Sequence, residues 1–213
     1  MNPLLISLLG VILVPLFIAS WRASLLGLAG QGALMALLLC RAEPVLDSPG
    51  NWLLFIDLAV LRGVLAPLAL YGVLRARKAR ARNDVIPPDL LSWTVAIAMV
   101  LLSFSFASAL VPASGEQQTL VAVASAGLIL GFLVLSTGAD PLSQVIGALR
   151  IENAIVLFEL GGARHAPPLF LQIGFIGVFV VTVVLFAHYL DASLPDALAA
   201  AAGPSADAEG PTL

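Results

Sequence analysis

A few residues of this chain could do chemistry inside an apolar environment: Gln31, Asp57, Arg62, Glu152, Asn153 and Glu159. Each is polar or ionisable, and each lies within a long apolar stretch. An ionisable side chain at the centre of a bilayer costs about 2.5–3.5 kcal/mol on insertion scales, so it persists mainly where pairing or function compensates. The densest cluster is in QVIGALRIENAIVLFEL, where Arg150, Glu152, Asn153 and Glu159 share one apolar segment. Low dielectric favours the neutral form of a carboxylate, and a nearby cation favours the charged form. Glu152 opposite Arg62 is therefore a candidate to change protonation, with Asp57 and Glu159 as further steps toward the outer side. Arginine does not release its proton at accessible pH and only biases its neighbours. The same residues also fit a buried Arg62–Glu152 ion pair that locks helices together, or charges that face a partner subunit.

The elements that must position these groups are membrane helices. The chain has 213 residues, 60% hydrophobic and 11% charged, and a mean hydropathy of +1.04. Soluble domains carry about 25% charged residues, so the fold class expected is all-α, a polytopic membrane protein. A span needs about 20 apolar residues. Seven candidates occur, near 3–20, 23–40, 52–74, 91–111, 119–136, 141–161 and 169–190, followed by an acidic tail over 191–213 expected to be mostly disordered. A short interfacial helix is possible within that tail near 194–202. The breaks between spans carry turn residues, as in LDSPGN, VIPPDL and GGARHAPP. The N-terminus lacks a basic segment before its apolar run and reads as a first span.

Arg75, Arg77, Lys78, Arg80 and Arg82 crowd the connection after the third span. Basic loops face the cytoplasm, which places the N-terminus outside and the C-terminus inside, in a bacterial cytoplasmic membrane. This basic run could also meet anionic lipid or nucleic acid, but a topology anchor explains it, and no nucleic-acid partner is expected. Cys40 is the only cysteine, and His165 and His188 are the only histidines. That donor set supports no metal, haem or iron–sulfur site in the chain itself. Serines such as Ser103, Ser105 and Ser108 are expected to bond helix carbonyls. Gly127 and Gly131 form a GxxxG in span five, and Ala23, Gly27 and Gly30 line span two, both packing signals. Pro15 and Pro67 fall inside spans, where they can bend the helix.

Depth is read by counting at about 1.5 Å per residue. Gln31, Arg62 and Glu152 then fall at the centres of spans two, three and six. Asp57 and Glu159 lie nearer the outer ends. Glu152 and Glu159 are seven apart, on one helix face and about 10 Å from each other. Arg150, two residues from Glu152, points to another side, toward a neighbouring subunit or the inner surface.

These residues carry a resemblance. The chain resembles the E component of hydrogenase-4, a membrane subunit of formate hydrogenlyase and complex I-related assemblies, itself similar to the small K subunit of NADH–quinone oxidoreductase. Gln144, Gly147, Glu152 and Asn153 follow that family's Q..G....EN pattern. Pro67 in RGVLAPLALY and Gln31 in GLAGQGALMALL also match, and the likeness extends over most of residues 1–190. It implies a non-catalytic subunit of a proton- or sodium-translocating arm, beside antiporter-like membrane subunits and a peripheral hydrogenase-like or other redox module. Nickel–iron and iron–sulfur centres would belong to those partners. The family often has lysine where this chain has Arg62, which favours a fixed electrostatic role there. Two other classes fit the same residues, a structural membrane anchor for a peripheral enzyme and a free-standing small ion transporter.

Overall fold

The computed structural model describes residues 2–18, 20–42, 48–76, 90–111, 115–137, 140–162 and 168–202. The expected basic connection beyond Arg75, the segment with Arg164 and His165, and the tail after residue 202 lie outside the described residues. The rest is helical: α1 (Pro3–Phe17), α2 (Trp21–Ala42), α3 (Pro49–Ile56), a π-helical segment (Asp57–Leu65), α4 (Ala66–Ala76), α5 (Leu90–Leu110), α6 (Glu116–Thr137), α7 (Pro141–Gly162) and α8 (Leu169–Ala202). Among the described residues, six helical spans are long and apolar enough to cross a membrane, with α3, the π segment and α4 forming one of them. The chain is an all-α polytopic membrane protein.

Local chemistry explains where the helices begin. Asn2 caps α1 by accepting from the Leu4 N–H at 3.1 Å, and Pro3 follows at the first turn. Ser48 caps α3 in the same way through the Asn51 N–H at 3.2 Å, ahead of Pro49. Gly115 adopts a φ of 128°, which suits glycine, just before α6 starts. Within the spans, Ser103 donates to the Met99 carbonyl and Ser125 to the Val121 carbonyl, both at 2.8 Å, and Ser108 donates to the Ser105 carbonyl. The hydroxyls of Ser103 and Ser108 are thus occupied with helix carbonyls.

Two boundaries differ from the sequence expectation. The first apolar run becomes a helix of only 15 residues, about 22 Å long and shorter than a hydrocarbon core of about 30 Å. Its end follows Pro15, which has no N–H to continue the ladder. At the other terminus, α8 continues past Leu190 to Ala202, through the alanine-rich stretch and over the first part of the expected tail.

Two large apolar clusters dominate the core, with a small third one of Ala107, Val121 and Ala122 beside them. One joins Leu5, Leu8 and Ile12 of α1 to Met35, Leu39, Leu58, Leu130, Val134 and Leu157. The other joins Trp21, Leu25 and Leu28 of α2 to Leu70, Leu74, Ile146, Leu149, Phe179 and Val183. Gln31 lies between Leu28 and Met35, Arg62 between Leu58 and Ala66, and Asn153 between Leu149 and Leu157. On each of these three helices a buried polar residue thus stands where one cluster gives way to the other, and the three belong to one polar layer. Leu101, Leu102 and Phe106 of α5 and Ile173, Val181, Val184 and Leu185 of α8 are exposed, as side chains in contact with lipid tails are.

Glycines set two close helix crossings. A Cβ on Gly32 would fall 2.5 Å from the Gly63 nitrogen and 2.8 Å from the Arg62 carbonyl carbon, so α2 meets the π segment backbone to backbone. A Cβ on Gly131 would lie 3.1 Å from the Gly147 oxygen, and one on Gly127 would lie 3.3 Å from Ala154 Cβ. The GxxxG of span five thus seats α6 on α7.

Candidate functional site

The polar layer is a chain of side-chain contacts. Arg62 donates through Nε to Asp57 Oδ2 and through Nη1 to Asn153 Oδ1, both at 2.9 Å. Asn153 Nδ2 in turn reaches Gln31 Oε1 at 3.4 Å. Phe179 of α8 covers the other side of the guanidinium, with Arg62 Cζ 4.0 Å from the ring centroid. Arg62, Asp57, Asn153 and Gln31 are all 3% exposed. Four elements (α2, the π segment, α7 and α8) thus converge on one buried cation. A desolvated cation over an aromatic face gains about 2 kcal/mol, and a charge-assisted hydrogen bond is roughly twice as strong as a neutral one.

The ion pair is Arg62–Asp57 rather than the expected Arg62–Glu152. Residues five apart lie about 140° apart around an α-helix, so α-helical counting separates Asp57 from Arg62. In the π segment the bonding runs five residues back, as in the Ala66 N–H to Leu61 carbonyl contact, and positions five apart come together. Pro67 lies just beyond, with no N–H for the Gly63 carbonyl. The α-helical ladder is interrupted there in any case.

Glu152 is half-buried on α7. Thr182 lies within hydrogen-bonding reach of its carboxylate, and Arg62 and Asp57 are within electrostatic reach. Glu159, partly exposed a further two turns along, feels the same two charges. Asp57 Oδ1 and Glu152 Oε2 are buried and have no hydrogen-bond partner among the described residues. The site thus holds one cation and two nearby carboxylates, each with a free oxygen. Both acids ionised leave it with net negative charge, and one added proton neutralises it. Among the described residues no cluster of three metal-ligating side chains occurs.

No protein-family model, curated protein or solved structure matches this chain.

Of the residues singled out from the sequence, Gln31, Asp57, Arg62 and Asn153 form one connected group, while Glu152 and Glu159 flank it without touching Arg62. Gln144 is engaged elsewhere, accepting from the Tyr189 hydroxyl at 3.1 Å. Sequence reading missed Phe179 and Thr182. The depth count that found Arg62 also puts both within a turn of the centre of the last span, where Thr182 is a rare polar residue.

Arg150 points away from this group, as expected, but inward rather than to a surface. It is fully buried and donates through Nη1 to the Ile12 carbonyl of α1 at 2.6 Å, while Nε and Nη2 have no partner among the described residues. A buried charge held by one carbonyl contributes little net stability. Arg150→Met should therefore leave stability within about 1 kcal/mol of wild type or raise it, as measured by SDS-induced unfolding in mixed micelles. A loss above that range would mean that the single carbonyl contact outweighs the burial.

Proposed function

We propose that the chain is a non-catalytic integral membrane subunit of a hydrogenase-4-like or complex I-like assembly, and that its midplane carboxylates take part in proton translocation. The observation that carries this reading is the buried polar layer itself, a cation with two under-bonded acids linked by amides across four helical elements. Intramembrane ionisable groups of this kind mark ion pathways. Glu152 is the central proton acceptor. Its carboxylate is not locked in the ion pair, it sits beside Arg62, and Thr182 can bond its ionised form. Arg62 is the fixed counter-charge, Asn153 accepts a hydrogen bond from it and is itself held by Gln31, and Glu159 and Asp57 serve the outer half.

The likeness of QVIGALRIENAIVLFEL to hydrogenase-4 component E supports antiporter-like membrane subunits and a peripheral redox module as neighbours. Any nickel–iron or iron–sulfur centre belongs to them. With α1 crossing as a short span, the basic residues after α4 favour an N-terminus outside and a C-terminus inside.

A second reading, a structural anchor for a peripheral enzyme, is favoured by the closed Arg62–Asp57 pair. Glu152→Gln separates the two. In the complex purified in mild detergent and reconstituted into liposomes, the substitution should bring coupled proton movement down to the background leak while the subunits still co-purify. Unchanged pumping by an intact complex would remove the translocation role and leave the anchor. A chain that purifies alone and moves protons by itself would remove the subunit reading.

A further inference from the structure

The two halves of the span formed by residues 49–76 are held very unequally. Helix α3 contains no buried residue, whereas α4 buries Ala66, Pro67, Leu70 and Leu74. Between them lies the π segment, with Asp57 at its start and Arg62 within it. The Asp57–Arg62 contact needs the π register, because α geometry turns positions five apart about 140° away from each other. The ion pair and the π register therefore stand or fall together. If the segment reverted to α-helix, one half would have to turn by one residue, about 100° and 1.5 Å along the axis. The half held less tightly is α3, whose Leu54 and Phe55 pack only partly buried against the first apolar cluster.

The direction of that turn is specific. With α4 and Arg62 held fixed and α geometry extended backward, Asp57 falls about 220° around from Arg62. Val64 and Leu68, both exposed, lie about 200° and 240° around. Asp57 would leave the buried layer for the open face of the span. As an anion it cannot do so cheaply; as a neutral acid it can.

We propose that Asp57 is a proton carrier whose protonation releases the π register and turns α3, moving the carboxyl from the Arg62 network to the open face of the span. One proton binds one carboxylate oxygen, of which Oδ1 is free, and the charge on Asp57 goes from −1 to zero. Arg62 keeps Asn153 as acceptor and Glu152 as counter-charge, so the cation is not stranded. The charged groups that act on Asp57 are Arg62 in its own segment and Glu152 and Glu159 from α7; Asn153 of α7 and Phe179 of α8 contact its partner Arg62, and Gln31 of α2 contacts Asn153. On the open face, which the proposed function sets against a neighbouring subunit, the carboxyl passes its proton to a basic side chain of that subunit, and the anion so formed returns to Arg62. The inference rests on the proton-handling reading above, to which it adds the moving part.

The test uses the full chain in lipid nanodiscs, with one spin label on the native Cys40, which is exposed, and another at Trp52→Cys on α3. A turn of about 100° moves a Cα by about 3.5 Å at a helix radius of about 2.3 Å, and a label further. Asp57→Asn, which mimics the neutral acid, should shift the label-to-label distance by several ångströms, and acidifying the parent double-labelled chain should do the same. Deleting Val60 leaves Asp57 and Arg62 four positions apart, where an ordinary α-helix keeps them adjacent. In that background Asp57→Asn should produce no shift. Distances unchanged in both Asp57→Asn and acid would overturn the proposal, and so would a shift that survives deletion of Val60. If Asp57→Asn does not fold, the acid titration decides alone. The readout needs neither partner nor ion flux: rotation without proton movement would refute the proposed function only, and pumping without rotation would refute the carrier only.

Discussion

Arg62→Met should destabilise the folded chain by about 3–5 kcal/mol, the cost of leaving a buried carboxylate without its cation. Asp57 and Arg62 are both 3% exposed, so water cannot replace the lost partner. Two further contacts disappear with the guanidinium: the bond to Asn153 and the stacking on Phe179. SDS-induced unfolding followed by circular dichroism gives the number. The decisive measurement is the double variant Asp57→Leu/Arg62→Met, which removes both charges. It should be considerably more stable than the sum of the single effects predicts, because a pair replaced by apolar groups avoids the stranded charge. Additive losses would mean that the two residues act separately, and the pairing described here would be wrong.

The second large effect is at Gly32. Its Cβ position is already occupied by backbone atoms of Gly63 at 2.5 and 2.6 Å, and no rotamer change can move a backbone. Gly32→Ala should cost about 1–3 kcal/mol by overpacking. Gly32→Val should cost more and should prise α2 from the π segment. Gln31 is the adjacent residue, so its reach to Asn153, already long at 3.4 Å, should be lost at the same time. Gly72→Ala is the matched control. A Cβ there meets nothing within 4 Å, and alanine in a helix is favoured over glycine by about 0.5–1 kcal/mol. If Gly32→Ala and Gly72→Ala behave alike, the close crossing does not exist.

Much of the fold was legible because membrane helices announce themselves by length and hydropathy. The spans holding Gln31, Arg62 and Glu152 follow from apolar runs alone. Pairing was another matter. Depth counting assumes one rise per residue and one angle per residue, and both assumptions fail across Asp57–Leu65. On an α-helical wheel Asp57 faces away from Arg62, which leaves Glu152 as the obvious partner. Only the π register makes Asp57 the nearer acid, and apart from Pro67 and Gly63 nothing in the residue types points to it. Arg150 illustrates the same limit. Its separation from Glu152 was readable from a two-residue spacing, but its burial against Ile12 depends on where α1 docks, which spacing does not contain. Gly32 was overlooked because glycines in span two look interchangeable until the crossing partner is known.

The close seating of α6 on α7 through Gly127, Gly131 and Gly147 bears on how the protein is made. Helix α7 is the least hydropathic of the membrane-crossing helices, burdened by Arg150, Glu152 and Glu159, and alone it is a poor candidate for release into lipid from the insertion machinery. The helix synthesised just before it is among the most apolar, and it fits against it at glycine distance. The two are suited to leave the translocation pore together as a hairpin, with α6 as escort. The charges that equip α7 for ion chemistry thus make its biogenesis depend on its neighbour. A bulky residue at Gly131 would then show itself first in newly made chains, as failed insertion and degradation, before any assembled complex could be assayed.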